Sequence, residues 1–341
     1  MSKKVVNFGE IMLRLSPPNY KRFIQSDSFD VTYGGGEANV SISLANFGLD
    51  AYYVTRLPNN PLGDAALNHL KRFGVKTDYI ARGGDRLGIY FLEIGAAQRP
   101  SKVVYDRAHS AIAEAEIGDF DWNEIFKDAE WFHFTGITPA LSDTAAELAL
   151  EATKKAKQNN VKVSCDLNYR GKLWSPEKAN KVMTQLMEYV DMALGNEEDA
   201  EKIFGIKAPE SDVAAGKISE RGYRFVAEEL IRRFNFELVA ITLRESYSAS
   251  DNGWSAMAYD GRNFYTSTKY RIHIVDRVGG GDAFAGGLIY SLISGKGLQE
   301  ALEFAVAASC LKHTIPGDFN MVGVDEVESL RKGNISGRVQ R

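Results

Sequence analysis

Trp131-Phe132-His133-Phe134-Thr135 is a short, mostly apolar run. Residues 143–159 then place apolar side chains at helical spacing, and Val161-Lys162-Val163-Ser164-Cys165-Asp166 makes a second short run. A strand, a helix and a strand in succession read as a βαβ unit, whose two strands lie parallel in one sheet. The same rhythm extends both ways along the chain. Further strands are expected at 5–8, 51–55, 192–194 and 238–243, and helices at 37–47, 64–73, 176–189 and 224–234. In the last helix, Glu228/Arg232 and Glu229/Arg233 stand four apart with opposite charges, as on an exposed helical face. Several strands are apolar without alternation, as in a sheet covered on both sides. The expected fold class is α/β, doubly wound, with a mainly parallel sheet.

Two regions break the rhythm. Residues 10–33 and 86–107 read as strands without helices, most clearly at Ile89-Tyr90-Phe91-Leu92-Glu93-Ile94 and Val103-Val104-Tyr105. They are expected to form a small β-sheet over one end of the main body. Residues 206–223 are irregular and are expected to be a surface insertion. With no internal repeat or low-complexity stretch, 1–341 is expected to be a single domain.

The 341 residues carry a formal charge of −4, with 44% hydrophobic and 25% charged residues. That balance excludes disordered, collagen-like and disulfide-scaffold chains. It speaks against a nucleic-acid partner, which calls for a basic face, but leaves room for a local cationic site. Cys165 and Cys310 stand apart, and no CxxC or HExxH suggests zinc; two buried thiols are expected. The opening residues read as a first strand rather than a leader. No run approaches the ~18–20 apolar residues that span a membrane. A cytoplasmic protein without a membrane partner is expected.

Two glycine clusters carry the chemical signal. The second is Asp276-Arg277-Val278-Gly279-Gly280-Gly281-Asp282-Ala283-Phe284-Ala285-Gly286-Gly287, a loop feeding a helix start. Glycines let backbone N–H groups converge on an anion, and the helix start adds partial positive charge. Asp282 among those donors reads either as an N-terminal cap or as a base that deprotonates a hydroxyl attacking a phosphoryl group. The first cluster, Tyr33-Gly34-Gly35-Gly36-Glu37-Ala38-Asn39, nearly matches a dinucleotide fingerprint. It lacks the third glycine and comes too late after the first strand. No GxxxxGK[ST] occurs.

The two clusters together resemble the paired signatures of the ribokinase-like (PfkB) sugar kinases, colinearly across essentially the whole chain. The resemblance implies a doubly wound domain with a β lid over the substrate. It implies Asp282 as catalytic base, Gly279, Gly280 and Gly281 as anion hole, and Gly35 and Asn39 as sugar contacts. Within the family the likeness is greatest to the 2-keto-3-deoxygluconate kinases, which implies further substrate contacts at Tyr90, Tyr105, Arg107, Arg170 and Asp318, with Leu173-Trp174 beside them. The chemistry agrees, because a planar guanidinium grips a carboxylate with two parallel hydrogen bonds.

For the nucleotide, the resemblance implies Asn196, Thr242, Arg244, Gly279 and Gly281 as contacts, with Ala305 and Ala308 walling the adenine. Two positions depart from the family pattern. Asn196-Glu197-Glu198-Asp199 ends in Asp where the family has Glu, so Asp199 is expected to act on the metal through water, with a frame using Glu198 as the alternative. The usual glycine after the strand at 238–243 is missing, and Arg244 either reaches the ATP phosphates or points away.

The implied cofactors are ATP and Mg²⁺, with a monovalent cation left open, and the implied partners are a sugar acid, ATP and further copies of the chain. The expected reaction is phosphorylation of the terminal hydroxyl of 2-keto-3-deoxygluconate. A fructokinase or other neutral-sugar kinase, and a non-catalytic sugar sensor on the same scaffold, are the alternatives. The intact Asp282 loop speaks against the sensor, and Arg107 separates an acid from a neutral sugar.

Overall fold

A computed structural model describes residues 3–209 and 220–334. The large sheet runs, edge to edge, through strands Phe264–Thr266, Asp251–Tyr259, Leu238–Ser246, Met192–Gly195, Lys162–Asp166, Ala129–Thr135, Lys4–Phe8, Asp50–Leu57 and Ile80–Arg82; Tyr270–His273 also pairs with Asp251–Tyr259. From Leu238–Ser246 to Ile80–Arg82 every pairing is parallel. The last three strands are antiparallel additions at one edge, which the strand–helix rhythm did not foretell.

The quoted βαβ unit forms as read. Trp131 pairs with Lys162 and Thr135 with Asp166, and helix Asp143–Gln158 crosses between them, capped by the Ser142 side chain. Phe132, Phe134, Val163 and Cys165 are fully buried on one face of the sheet, and Trp131, His133 and Ser164 are buried on the other, where the Ser164 hydroxyl meets both rings. Cys165 and Cys310 are both buried free thiols. Helices Gly280–Ile293 and Leu298–Lys312 pack closely, because a side chain at Gly287 would meet the Ala305 backbone at 2.9 Å.

The helix-free regions form a separate four-stranded sheet in the order Asp30–Gly34, Met12–Ser16, Ile89–Glu93, Lys102–Asp106, interrupted by a single 3-10 turn at Phe23–Gln25. Of the expected insertion at 206–223, residues 210–219 lie outside the described residues. Its ends are not surface loop: Ile206 and Ala208 are buried in the main core, and a helix runs from Glu220 to Phe234. On that helix Arg232 pairs with Glu229 rather than Glu228, and Arg233 donates to the Phe204 carbonyl. No helix among the described residues is long and apolar enough to cross a membrane.

Candidate active site

A cleft of about 770 Å³ opens where the parallel pairing ends, lined by Asp166 and Gly195 from the C-terminal ends of their strands, by Thr242 just beyond the last parallel pair, Gly195 with Ile241, and by Gly281 from the facing helix. Open α/β sheets bind ligands at this crevice. The Gly279–Gly281 loop meets it through a left-handed residue. Gly279 has φ +84°, and a Cβ there would lie 1.9 Å from the Asp318 carbonyl oxygen, so only glycine fits. The Ala283 amide bonds the Gly279 carbonyl, while the amides of Gly281 and Asp282 have no acceptor among the described residues. Two free donors at a helix start are suited to a phosphate. Gly281 is exposed and lines the cleft, and a Cβ there would meet nothing within 4 Å.

Asp282 follows on the first turn. Asn39 Nδ2 donates to its Oδ2 at 2.6 Å, and Asn39 Oδ1 accepts from the Gly35 amide at 3.3 Å. The two glycine clusters, 243 residues apart at this bond, are thereby joined. The first cluster fits tightly: a Cβ at Gly34 would strike the Asp318 carboxylate at 2.0 Å, and one at Gly35 the Glu10 carbonyl at 1.9 Å. Burial raises the Asp282 pKa to about 7; the Asn39 hydrogen bond opposes the shift and Asp318 adds to it. A carboxyl poised near neutrality is suited to accept a hydroxyl proton.

Arg170 faces this group. It follows Asn168, whose φ of +39° turns the chain as it leaves strand Lys162–Asp166. Arg170 is exposed at the cleft, its Nη1 bonds only the Tyr169 carbonyl, and its charge acts on Asp166, Asp199 and Asp282. Among the described residues it forms no ion pair with a carboxylate. Trp174, expected near the substrate, is instead buried in the core.

Arg107 is placed differently. Its Nε donates to Glu10 Oε2 at 2.8 Å and its Nη2 to the same oxygen, with both side chains buried. Its charge is compensated within the chain, and its guanidinium lies over the Tyr105 ring. Tyr90 and Asp318 also belong to an internal network. The Tyr90 hydroxyl donates to Asp318 Oδ2 at 2.5 Å, and Arg14 bonds Asp318 Oδ1 at 2.6 Å and Asp276 Oδ2 at 2.5 Å. Tyr90 packs with Met12 and Leu92 in the core of the small sheet, while Tyr105 remains 38% exposed. Sequence reasoning named neither Glu10 nor Arg14. Their partners lie 97 and 262–304 residues away, and no local signal marks them.

At the other end of the cleft lie Asn196, Thr242 and Arg244, joined by Arg277 and His313, which the sequence reading passed over. Arg244 is exposed there, and its charge lowers the Arg277 pKa after burial has done so. Neither guanidinium pairs with a carboxylate among the described residues; two such cations on one wall suit a polyphosphate. Asp199 caps its own helix, with Oδ2 accepting from the Asn196 amide at 3.0 Å and Oδ1 from Tyr169 at 2.8 Å. Asn196 Oδ1 in turn accepts from the Asp199 amide at 3.0 Å, which completes a reciprocal cap. Ala305 and Ala308, expected to wall the adenine, do not line this cleft. Both are fully buried where Leu298–Lys312 packs on the core, because the close helix contact at Gly287 covers them.

The carboxylates fit a divalent cation. Asp166 is raised to about 8 by burial and by the Asp199 and Asp282 charges, and Asp199 to about 6 chiefly by burial. Crowded acids of this kind are stabilised as anions by Mg²⁺. Among the described residues no three His, Cys, Asp or Glu side chains cluster to bind a metal directly, so water and phosphate oxygens would complete its shell.

The model for pfkB family carbohydrate kinases matches residues 2–321. The chain is similar to the crystal structure of 2-dehydro-3-deoxygluconokinase from Thermotoga maritima, at 60% identity and a TM-score of 0.94, covering 97% of this chain and 100% of that one. It is 34% identical over 338 residues to the 2-dehydro-3-deoxygalactonokinase of Haloferax volcanii, covering 99% of each. The 2-dehydro-3-deoxygluconokinase of Bacillus subtilis is 26% identical, over 94% of this chain and 92% of that protein. Matched almost end to end by the family model and by these relatives, the chain belongs to the pfkB family of carbohydrate kinases.

Proposed function

We propose that this kinase transfers the γ-phosphoryl group of ATP to the terminal hydroxyl of 2-keto-3-deoxygluconate (2-dehydro-3-deoxygluconate). The observation that carries the reading is the arrangement beside the cleft: Asp282, two amides and Arg170, the amides without an acceptor and Arg170 without a carboxylate partner among the described residues. Asp282 takes the hydroxyl proton as the oxygen attacks, with Asn39 fixing its orientation. The Gly281 and Asp282 amides stabilise charge on the transferred group. Arg244 and Arg277 hold the polyphosphate, and Asn196 and Thr242 line its approach. Asp166 and Asp199 would hold Mg²⁺ near the phosphates, where it would supply positive charge.

Arg170 grips the sugar carboxylate, and Gly35 and Asn39 border the sugar. The small sheet is the lid, with Tyr105 facing the sugar and Arg107, Tyr90 and Asp318 shaping that wall through Glu10 and Arg14. The identity to the Thermotoga maritima enzyme supports the gluconate acceptor. Exposed Val31 and Val104 on the small sheet's outer face favour a homo-oligomer, which sedimentation measures.

Arg170→Ala tests the acceptor class. A lost charge-assisted hydrogen bond of about 1.5–3 kcal/mol predicts a fall of roughly 10- to 150-fold in kcat/KM for the sugar acid. Residual activity on fructose, which has no carboxylate, should fall much less. Equal losses on both substrates would remove Arg170 from acid recognition.

A further inference from the structure

Lys312 ends helix Leu298–Lys312, where a lysine ordinarily reaches water, yet it has no exposed surface. Its ammonium donates to the Asp276 carbonyl at 3.1 Å and to the Ile315 carbonyl at 3.4 Å. Both contacts are with backbone oxygens, not with a carboxylate. Asp276 opens the loop that ends in Gly279-Gly280-Gly281, and Ile315 lies in the turn leading to Asp318.

Other bonds zip the same two segments together. The amides of Val275 and Asp276 donate to the His313 carbonyl at 2.8 and 3.2 Å, and the Gly317 amide donates to Asp276 Oδ2 at 3.0 Å. Asp276 Oδ1 accepts from the Val278 amide at 3.1 Å, inside the loop itself. Gly279 then lies against the Asp318 carbonyl. Carbonyl oxygens converging in a buried space need a cation or hydrogen-bond donors there. The lysine side chain supplies both from within the chain. Burial lowers the Lys312 pKa and the Arg14 charge adds to that, while Asp276, Asp318 and Asp282 favour the charged form.

We propose that the Lys312 ammonium is a built-in monovalent cation that sets the shape of the Gly279–Gly281 loop, so that phosphoryl transfer needs no free monovalent cation. The inference rests on reading that loop as the phosphate site. Lys312 is a positioning residue: it reaches the phosphate only through the loop it holds. The sequence had left a monovalent cofactor open, and the buried ammonium answers it.

The experiment compares kcat/KM for ATP in choline, sodium, potassium and ammonium chloride at one ionic strength, for the wild type, Lys312→Ala and Lys312→Met. Wild-type values should agree within about twofold, whereas activation by potassium of fivefold or more would overturn the proposal. Lys312→Ala leaves space and unpaired carbonyls, so kcat/KM should fall roughly 10- to 100-fold in choline. Potassium or ammonium, but not choline, should restore much of it. Lys312→Met fills the space and should lose activity without rescue.

A folded Lys312→Ala that neither ion rescues would overturn the proposal, because a merely structural lysine responds to neither. Should Lys312→Ala fail to fold, the wild-type comparison decides alone. Calorimetric ATP binding by wild type and Lys312→Ala reads the same cation effect without any sugar, so an error in the acceptor does not disturb it. Wild type that binds no ATP refutes the reading of the loop, and the proposal with it.

Discussion

Replacing Asp282 with Asn separates two consequences of one buried carboxylate. The amide keeps the shape, and its oxygen still accepts from Asn39 Nδ2, so sugar and ATP should bind nearly as before. It cannot take a proton, and loss of a general base lowers turnover by roughly 10²–10⁴-fold. The same change should stabilise the fold at alkaline pH. The Asp282 carboxyl moves from 3.8 to about 7 on folding, so the native state holds more protons than the unfolded chain between those values. Its contribution to stability is therefore full below about pH 4 and lost as pH rises through about 7.

At 1.36 kcal/mol per pH unit that shift corresponds to about 4 kcal/mol. Water in the open cleft screens part of it, and about 2 kcal/mol is the expected gain for Asp282→Asn at pH 8. ADP release coupled to NADH oxidation reads the first effect, and urea unfolding at pH 5 and pH 8 reads the second. In the wild type, turnover should rise with pH through about 7. Turnover within tenfold of wild type would remove Asp282 from the chemistry. An unchanged stability at pH 8 would mean that the carboxylate is not held at the cost described.

Two further substitutions probe the frame of the site. Gly279→Ala forces a Cβ to 1.9 Å from the Asp318 carbonyl at φ +84° and should abolish activity and lower the melting temperature. Gly281→Ala meets no neighbour and should keep the fold while raising KM for ATP; similar melting losses in both would contradict the loop geometry. Arg14→Leu strands Asp276 and Asp318 without their cation and should cost about 3–5 kcal/mol in urea unfolding. A loss below about 1 kcal/mol would show that the network is not intact in solution.

The parallel sheet was legible because strands buried on both faces leave uninterrupted apolar runs, as in Val5 and Val6, which enter opposite cores of the sheet. Asp282 and its glycines were legible because close backbone approach restricts the residue type. The edge strands Asp251–Tyr259 and Tyr270–His273 were not, since they mix polar and apolar residues and follow no helix. In Met12–Ser16 the usual code is inverted: Arg14 and Ser16 are buried toward the site, while Leu13 and Leu15 are half-exposed. Arg107 looked like a free cation because Glu10, which neutralises it, lies 97 residues away. Lys312 carries no local sequence signal, because the carbonyls that hold it belong to Asp276, 36 residues away, and to Ile315.

The most direct test of the account is a coupled ADP-release assay of the wild type across 2-keto-3-deoxygluconate, its galactonate epimer, fructose, ribose and adenosine, at equal ATP and Mg²⁺. An unpaired Arg170 facing Asp282 predicts that both sugar acids exceed fructose in kcat/KM by roughly 10-fold or more, with the gluconate form the better and adenosine near background. A wild type that prefers fructose or ribose over both acids would contradict the sugar-acid assignment.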